Sequence, residues 1–193
     1  MKFITSIRIK LGRYFLRKHT SKLQRNRQAI KLKDARDIGL VFHMSSEQEY
    51  ATIGRFVGEL QAAGKKVWVL GYSRTAKAPV YYAPKLSYDL ILKGNLDFFM
   101  RPTTEFAAKF IDHSFDILFD LGSSDEFSLA WVVELSKARF KVGKGISGKQ
   151  GPFDLQIEPT QEMTIKALID EMVHYTSSID FVNPYDQKIE TAL

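Results

Sequence analysis

The feature that most constrains the fold of this chain is a buried strand, a helix and a second buried strand in succession between residues 38 and 72. Residues 38–44, Ile-Gly-Leu-Val-Phe-His-Met, form an almost uninterrupted apolar run, and residues 66–72 form another. The helix predicted over residues 49–63 is preceded by the capping residues Ser45 and Ser46 and is followed by a glycine. A crossover of this length predicts two parallel strands joined by a right-handed connection.

The alternation of strands and helices continues along the chain. The further elements are predicted as strands over residues 96–100, 115–121, 140–143 and 153–158 and as helices over residues 103–112, 124–137 and 160–177. Residues 74–95, which contain Pro79 and Pro84, are predicted to be irregular, with room for one short strand or turn. This order predicts an α/β fold, a three-layer αβα sandwich with a mostly parallel, Rossmann-like sheet.

The first 36 residues differ from the rest of the chain in charge. They hold twelve lysines and arginines against one acid, a net charge of +11, whereas the whole chain carries +6, so residues 37–193 sum to −5. The apolar residues that recur at helical spacing in this segment are Phe3, Ile7, Leu11, Tyr14 and Phe15. We therefore interpret residues 1–36 as a basic arm, an amphipathic helix followed by a second helix or an extended linker, and residues 37–193 as the αβα domain.

The sequence does not contain the residues or motifs that several kinds of chemistry require. The chain has no cysteine, which excludes disulfides and thiolate metal sites. The spacing of its four histidines (His19, His43, His113 and His174) matches no metal-binding motif, and no G-x-G-x-x-G is present. We expect no cofactor, no metal and no catalytic residue. No stretch is long and apolar enough to span a bilayer, and Arg8, Lys10 and Arg13 interrupt any signal-peptide core, so we expect a cytoplasmic protein.

Residues 143–150, Gly-Lys-Gly-Ile-Ser-Gly-Lys-Gln, match part of a phosphate-binding loop. Gln150 stands where such a loop has the hydroxyl that binds Mg²⁺, and a predicted strand follows in place of the helix that would hold the phosphate. We therefore interpret the segment as a surface loop.

Two aspartates, Asp116 and Asp120, lie four residues apart in the strand at residues 115–121 and hence on one face of it. A pair of carboxylates can perform general acid–base chemistry. Aspartates at strand ends are more often caps or turn residues, and we prefer that interpretation.

A concentrated basic segment predicts an anionic partner. Our first hypothesis is a non-enzymatic binding module whose arm engages RNA, either ribosomal RNA or a ribonucleoprotein, with Tyr14 and Phe15 available to stack on bases. The residues expected to contact phosphates are Arg8, Lys10, Arg13, Arg17, Lys18, Lys22, Arg25, Arg27, Lys31 and Lys33. The alternatives are an anionic membrane surface, an acidic protein, and a helix that merely packs its Phe3, Ile7, Leu11 and Phe15 face on the domain or on a partner.

A rival hypothesis of another class is an enzyme that binds a small molecule or a nucleotide sugar. Open parallel sheets bind ligands at the carboxyl ends of their strands. The residues expected at that edge are His43, Tyr72, Ser123 and Lys149. Carboxylates follow the first and fourth predicted strands, at Glu47 and at residues 125–126, and they disfavour a dinucleotide at the helix N-termini there.

Residues 115–121 together with Leu-Ser-Lys-Ala-Arg-Phe-Lys-Val-Gly at 135–143 resemble the strand, helix and A-x-x-R-V-G turn of the N-terminal Rossmann half of ADP-heptose-type glycosyltransferases. The resemblance ends there, because the second Rossmann half that holds the sugar nucleotide in those enzymes has no counterpart in this chain. The resemblance therefore implies a fold and not the activity.

A wider pattern includes the basic helix, residues 66–72, 115–121 and 137–143, and a final helix with His174 and Tyr175. It resembles an uncharacterised family of short bacterial α/β proteins, a domain of unknown function known mainly from bacteroidetes. That resemblance implies a cytoplasmic single-domain protein and supplies no activity and no site residues.

Overall fold

The structure, a computed structural model, describes residues 2–122, 126–145, 151–158 and 163–178. Its strands are β1 (Asp37–His43), β2 (Lys66–Ser73), β3 (Tyr88–Leu92), β4 (Ile117–Asp120), β5 (Phe140–Lys144) and β6 (Leu155–Ile157). Its helices are α1 (Lys2–Thr20), α2 (Glu47–Ala62), α3 (Glu105–Asp112), α4 (Phe127–Leu135) and α5 (Ile165–Ser178). The side chains of residues 2–4 are not described.

The six strands form one sheet in the order β3-β2-β1-β4-β5-β6, and every neighbouring pair is parallel. The chain therefore builds outward from β1 to β3 and then crosses back to continue on the other side of β1. This order is that of a Rossmann sheet, and ligands of such sheets bind outside the carboxyl ends of the strands where the order reverses, here β1 and β4. The predicted α/β fold with a Rossmann-like sheet is confirmed.

Helices cover both faces of the sheet. Leu40, Phe119 and Val142 of the sheet share one apolar cluster with α2 and α5, whereas Val41, Leu70 and Leu118 share the other with α3 and α4. Strands covered on both faces need apolar residues at nearly every position, which is why the predicted strands were continuous apolar runs and not alternating ones.

Helix α1 lies outside these layers and packs on α4. Leu16 is buried in a small cluster with Phe127 and Trp131. Gly12 permits the close approach, since a Cβ there would lie 2.5 Å from the Phe99 carbonyl oxygen and 2.6 Å from the Phe127 ring. Of the face offered as an alternative for packing on the domain, Phe15 does pack there, whereas Ile7 and Leu11 do not, because the helix turns its glycine inward and leaves both of these side chains 42% exposed.

Residues 21–36, here called the strap, are extended or turned and contain no second helix. The strap follows the edge of the sheet at which the strands begin, called here the N-terminal edge. Its Gln28 N–H donates to the Arg139 carbonyl (3.0 Å), its Leu32 N–H donates to the Thr176 carbonyl (2.9 Å), and its Arg36 carbonyl accepts from the Lys66 N–H (2.8 Å). Because its Ile30 and Ala35 are also buried, the arm is attached to the body along its length.

The strand predicted over residues 96–100 is wrong, and a strand is found instead within residues 74–95, where a short strand or turn was allowed. Residues 96–100 form a turn with a single antiparallel bridge from Leu96 to Pro102, and the Asp97 carboxylate ties the turn by accepting from the Phe99 and Arg101 N–H groups (2.8 and 2.9 Å). The third strand is instead β3, which lies in the segment predicted as irregular and forms one edge of the sheet. Among the described helices, none combines the length and hydropathy needed to cross a bilayer.

Candidate functional site

A cavity of about 680 Å³ opens at the N-terminal edge, between the arm and the body. Its lining comprises Arg13, Arg17, Thr20, Leu23, Arg25, Arg27, Glu134, Lys141, Gly151 and Pro152. We call it the arginine cavity, because the described part of its lining contains four arginines and one lysine but one carboxylate.

Helix α1 contributes Arg13 and Arg17, which are four residues apart and therefore neighbours on one flank of the helix. The Arg13 guanidinium carbon lies 5.9 Å from the centre of the Phe127 ring. In the part of the chain that the structure describes, no carboxylate forms an ion pair with either arginine.

The strap contributes Arg25 and Arg27. Both terminal nitrogens of Arg25 donate to the Asp154 carboxylate at 2.7 Å, one of them also donates to the Ala138 carbonyl at 3.1 Å, and the side chain is only 4% exposed. Arg27 lies 4.0 Å from the same carboxylate and is 76% exposed. Arg25 is thus a fixed structural tie, while Arg27 faces solvent at the cavity rim.

Lys141 of β5 forms the inner end of the cavity and is 2% exposed. Its Nζ donates to the carbonyls of Val133 (2.7 Å) and Glu134 (3.1 Å), where the negative end of α4 favours a cation. Burial, with help from the nearby Arg25, lowers the pKa of Lys141 to about 7. Burial raises the pKa of the Glu134 carboxyl, although the nearby charges of Arg13, Lys141 and Arg17 oppose the shift.

The remaining cations of the arm are spread over its surface. The Arg8 Nε donates to the Phe98 carbonyl at 2.6 Å, and its guanidinium lies 5.2 Å from the centre of the Phe98 ring. Lysines with exposed side chains occupy positions Lys10, Lys18, Lys22 and Lys33, whereas Lys31 is half-buried. Of the two predicted stacking residues, Tyr14 is 65% exposed, and Phe15 packs against Phe99 with ring centres 5.0 Å apart.

The opposite edge, where the strands end, is called the carboxyl edge. Here the parallel register of β1 and β2 places His43 beside Tyr72, with ring centres 6.0 Å apart. The Glu126 Oε1 atom lies 3.6 Å from His43 Nε2 and forms an ion pair with Arg74. Burial lowers the pKa of His43, although Glu126 opposes the shift. Of the four residues expected at this edge, Ser123 and Lys149 lie outside the described residues.

A smaller cavity of about 280 Å³ adjoins this cluster at the reversal point between β1 and β4. Its lining comprises His43, Ser45, Glu49, Leu121, Gly122, Lys144, Met163, Thr164, Ile165 and Leu168. Beside it, Asp120 accepts a hydrogen bond from the Gly122 N–H (2.8 Å), and burial raises the pKa of this carboxyl to about 7. The titratable side chains of this lining are those of His43, Glu49 and Lys144, and this mixture of acid and base suits a small ligand without a large negative charge.

The two strand aspartates do not form one site. Asp116 lies at the N-terminal edge, where its carboxylate accepts from the N–H groups of Arg36 and Asp37 (2.8 and 3.1 Å) and from Arg139 (2.9 Å). Asp120 lies at the far end of β4. The preferred interpretation of Asp116 as a capping residue agrees with these contacts. Across the described ranges, no group of three or more histidines and acids is placed to hold a metal ion.

Sequence reasoning did not single out Lys141, Glu134 or Arg74 as site residues. Lys141 had a detectable pattern, because it stands between Phe140 and Val142 in a strand that should be buried on both faces. No sequence pattern marked Arg74 or Glu134 as a site residue, because their positions in the two sites follow from the packing of separate elements.

Residues 8–179 match a family model described as a family of unknown function, DUF6913. The match includes most of α1 and the strap as well as the whole sheet. No curated protein and no solved structure matches the chain.

Proposed function

The chain belongs to the DUF6913 family, whose function is unknown, and from its own charge distribution we propose that it is a non-enzymatic RNA-binding module of the cytoplasm. The partner proposed is ribosomal RNA or a ribonucleoprotein. The observation that carries the proposal is the arrangement of the arm's cations, which are docked on the body but only locally neutralised by it.

The docked arm matters because it turns a charged segment into a charged surface. Among the described carboxylates, that of Asp154 pairs with Arg25 and Arg27. Exposed side chains elsewhere on α1 and the strap are those of Lys10, Arg13, Arg17, Lys18, Lys22 and Lys33. Phosphate oxygens are the natural partners of such groups, since guanidinium binds them bidentately and lysine binds them as a point charge. The exposed Tyr14 ring supports binding of unpaired bases by stacking.

The test is a binding titration of a labelled single-stranded RNA, followed by fluorescence anisotropy at several salt concentrations. The arm variant replaces Lys10, Lys18, Lys22 and Lys33 by glutamine. The matched control replaces Lys77, Lys85, Lys93 and Lys166, which are exposed lysines of the body away from the strap, by glutamine. Deletion of residues 1–36 is a poor test, because Leu16, Ile30 and Ala35 belong to the buried interior.

We expect the arm variant to bind more weakly and its dependence on salt to become shallower. The slope of log K against log salt changes by about 0.7 for each phosphate of a single strand that the variant no longer binds. Equal weakening in the arm variant and in the control would overturn the proposal. Failure to bind RNA, together with flotation on anionic vesicles that survives high salt, would overturn it in favour of membrane attachment through Ile7, Leu11 and Tyr14, the exposed side chains of α1.

A second candidate function, binding of a small molecule at the carboxyl edge, is favoured by the convergence of His43, Tyr72, Arg74 and Glu126 at the reversal point of the sheet. The local resemblance to a glycosyltransferase half makes nucleotide sugars one class of probe, and neutral sugars are the other. Thermal unfolding with each probe is the test, since a ligand at 100 times its Kd stabilises a protein by about 2.7 kcal/mol. No shift with any probe would remove this candidate.

A further inference from the structure

We propose that the arginine cavity is a discrete site for two or more linked phosphates carried on a nucleoside, as at the 5′ end of an RNA or on a free nucleotide. This inference rests on the proposed function and gives it a preferred point of contact. It is carried by the geometry, the charge and the size of the cavity.

The cationic groups reach the cavity from separate elements that are fixed independently. Helix α1 is held on α4 by Leu16 and by the close approach at Gly12. The strap is held by the two hydrogen bonds from Arg25 to the Asp154 carboxylate. Lys141 is fixed by the carbonyls at the end of α4. The backbone segments that carry the cations are therefore already in place, so a ligand that bound here would have to order only the exposed side chains of Arg13, Arg17 and Arg27.

The charge of the cavity exceeds what one phosphodiester would neutralise. Arg13 and Arg17 form no ion pair with a described carboxylate, and Arg27 is 4.0 Å from an aspartate that Arg25 already binds at 2.7 Å. An internal phosphate of RNA carries a single negative charge. Linked terminal phosphates carry several charges in a small volume, and so they match converging guanidinium groups better.

The size of the cavity also favours a phosphorylated nucleoside over a bare anion. A volume of about 680 Å³ lies in the usual range of sites for small organic ligands. Leu23 and Pro152, both half-buried, provide apolar surface in the lining beside the charged groups. This surface could pack against a ribose or a base while the arginines hold the phosphates.

The experiment compares one short RNA bearing a 5′-triphosphate with the same RNA bearing a 5′-hydroxyl, and adds ATP and inorganic tripolyphosphate as further probes. Binding is measured by calorimetry on the wild type, on Arg13→Gln with Arg17→Gln, and on Arg55→Gln as the control. Arg55 is an exposed arginine of α2, remote from the cavity. Because Arg13 and Arg17 are exposed, their replacement should remove little beyond the contact of Arg13 with the Phe127 ring, so the melting temperature should fall only slightly.

We expect the wild type and the Arg55→Gln control to prefer the triphosphate RNA by about tenfold or more, which corresponds to about 1.4 kcal/mol. The double variant should lose this preference. ATP binding as tight as that of the triphosphate RNA would identify a free nucleotide as the source, and much weaker ATP binding would identify an RNA end; both support the site. Equal affinity for the two RNAs with no binding of ATP or tripolyphosphate would overturn the inference and leave the proposed function standing. Binding of ATP without binding of either RNA would keep the site and overturn the proposed function.

Discussion

Lys141 and Asp120 are ionisable residues buried on neighbouring strands, one near each edge of the sheet. Burial lowers the pKa of Lys141 to about 7 and raises that of Asp120 to about 7, so the two shifts run in opposite directions for the same physical reason. Both groups sit beside a cavity, where perturbed groups often serve binding. Their titration also affects the stability of the fold, with opposite signs in different pH ranges.

The contribution of Lys141 to stability should increase with pH between about 7 and 10. In that range the unfolded chain keeps the lysine protonated, while the folded chain releases the proton, so the unfolded state binds more protons. We expect the free energy of unfolding of the wild type to rise relative to that of Lys141→Met, by at most about 1.4 kcal/mol per pH unit. Urea unfolding at pH 7, 8 and 9 measures the difference, with the exposed Lys66→Met as a control. A constant difference would show that Lys141 stays charged in the folded protein.

Asp120 should act in the opposite direction between about pH 4 and 7. There the folded protein keeps the carboxyl protonated while the unfolded chain has released the proton, so stability falls as the pH rises through this window. Asp120→Asn keeps the oxygen that accepts from the Gly122 N–H and removes the titration. We expect the wild type to be the more pH-sensitive protein in urea unfolding at pH 4.5, 5.5 and 6.5. If the free energy of unfolding changed with pH in the same way for both proteins, the raised pKa of Asp120 would be contradicted.

At the scale of elements, the docking of α1 on α4 determines whether the basic arm is part of the protein's folded surface or a segment that projects from it. The periodicity of apolar residues predicted the helix, but of the described side chains on that face Phe15 packs on the body while Ile7 and Leu11 are exposed. Gly12 decides the face, because it lets the helix backbone approach Phe99 and Phe127 more closely than any side chain would allow. A hydrophobic pattern cannot reveal this, since it counts apolar side chains and a glycine has none.

Two glycine substitutions test that docking. Gly12→Ala places a Cβ 2.5 Å from the Phe99 carbonyl oxygen, and overpacking of this kind typically costs about 1–3 kcal/mol. Gly58→Ala in α2 is the matched control, because nothing lies within 4 Å of its Cβ position, and alanine there should stabilise the helix by about 0.5–1 kcal/mol. Thermal unfolding should therefore show shifts of opposite sign. An alanine at position 12 that is neutral or stabilising would mean that α1 does not pack as described.

The strands show what the sequence could and could not predict. Continuous apolar runs located β1, β2, β4 and β5, because strands buried on both faces leave little ambiguity. Strand β3 was allowed for within residues 74–95 but could not be placed, because Tyr-Asp-Leu-Ile-Leu at 88–92 is short and lies in a proline-containing segment at the sheet's edge. Residues 96–100 are equally apolar but form a turn, since the Asp97 carboxylate captures two N–H groups that a strand would need.

At the scale of the whole molecule, the arm gives the N-terminal edge of the sheet an excess of cations, whereas acids and bases are mixed at the carboxyl edge, where Arg74 and Lys144 also lie. The basic arm lies along the N-terminal edge, and Glu49, Asp120 and Glu126 lie at the carboxyl edge with His43. The imbalance was evident from the sequence, which places +11 in the first 36 residues. The location of the positive charge in the fold was not evident from the sequence. The tertiary contacts of the strap show that the cations line a cavity at the N-terminal edge, opposite the carboxyl edge at which such sheets usually bind ligands.

The most direct test of the account is a map of where RNA touches the protein. Single-stranded RNA containing 4-thiouridine is cross-linked to the full chain by light, and the attached peptides are identified by mass spectrometry. We predict cross-links in α1 and the strap, concentrated around Tyr14 and the residues that line the arginine cavity, and their disappearance in high salt. Cross-links confined to the carboxyl edge around His43 and Tyr72, or none above the level of an unrelated acidic protein, would contradict the account.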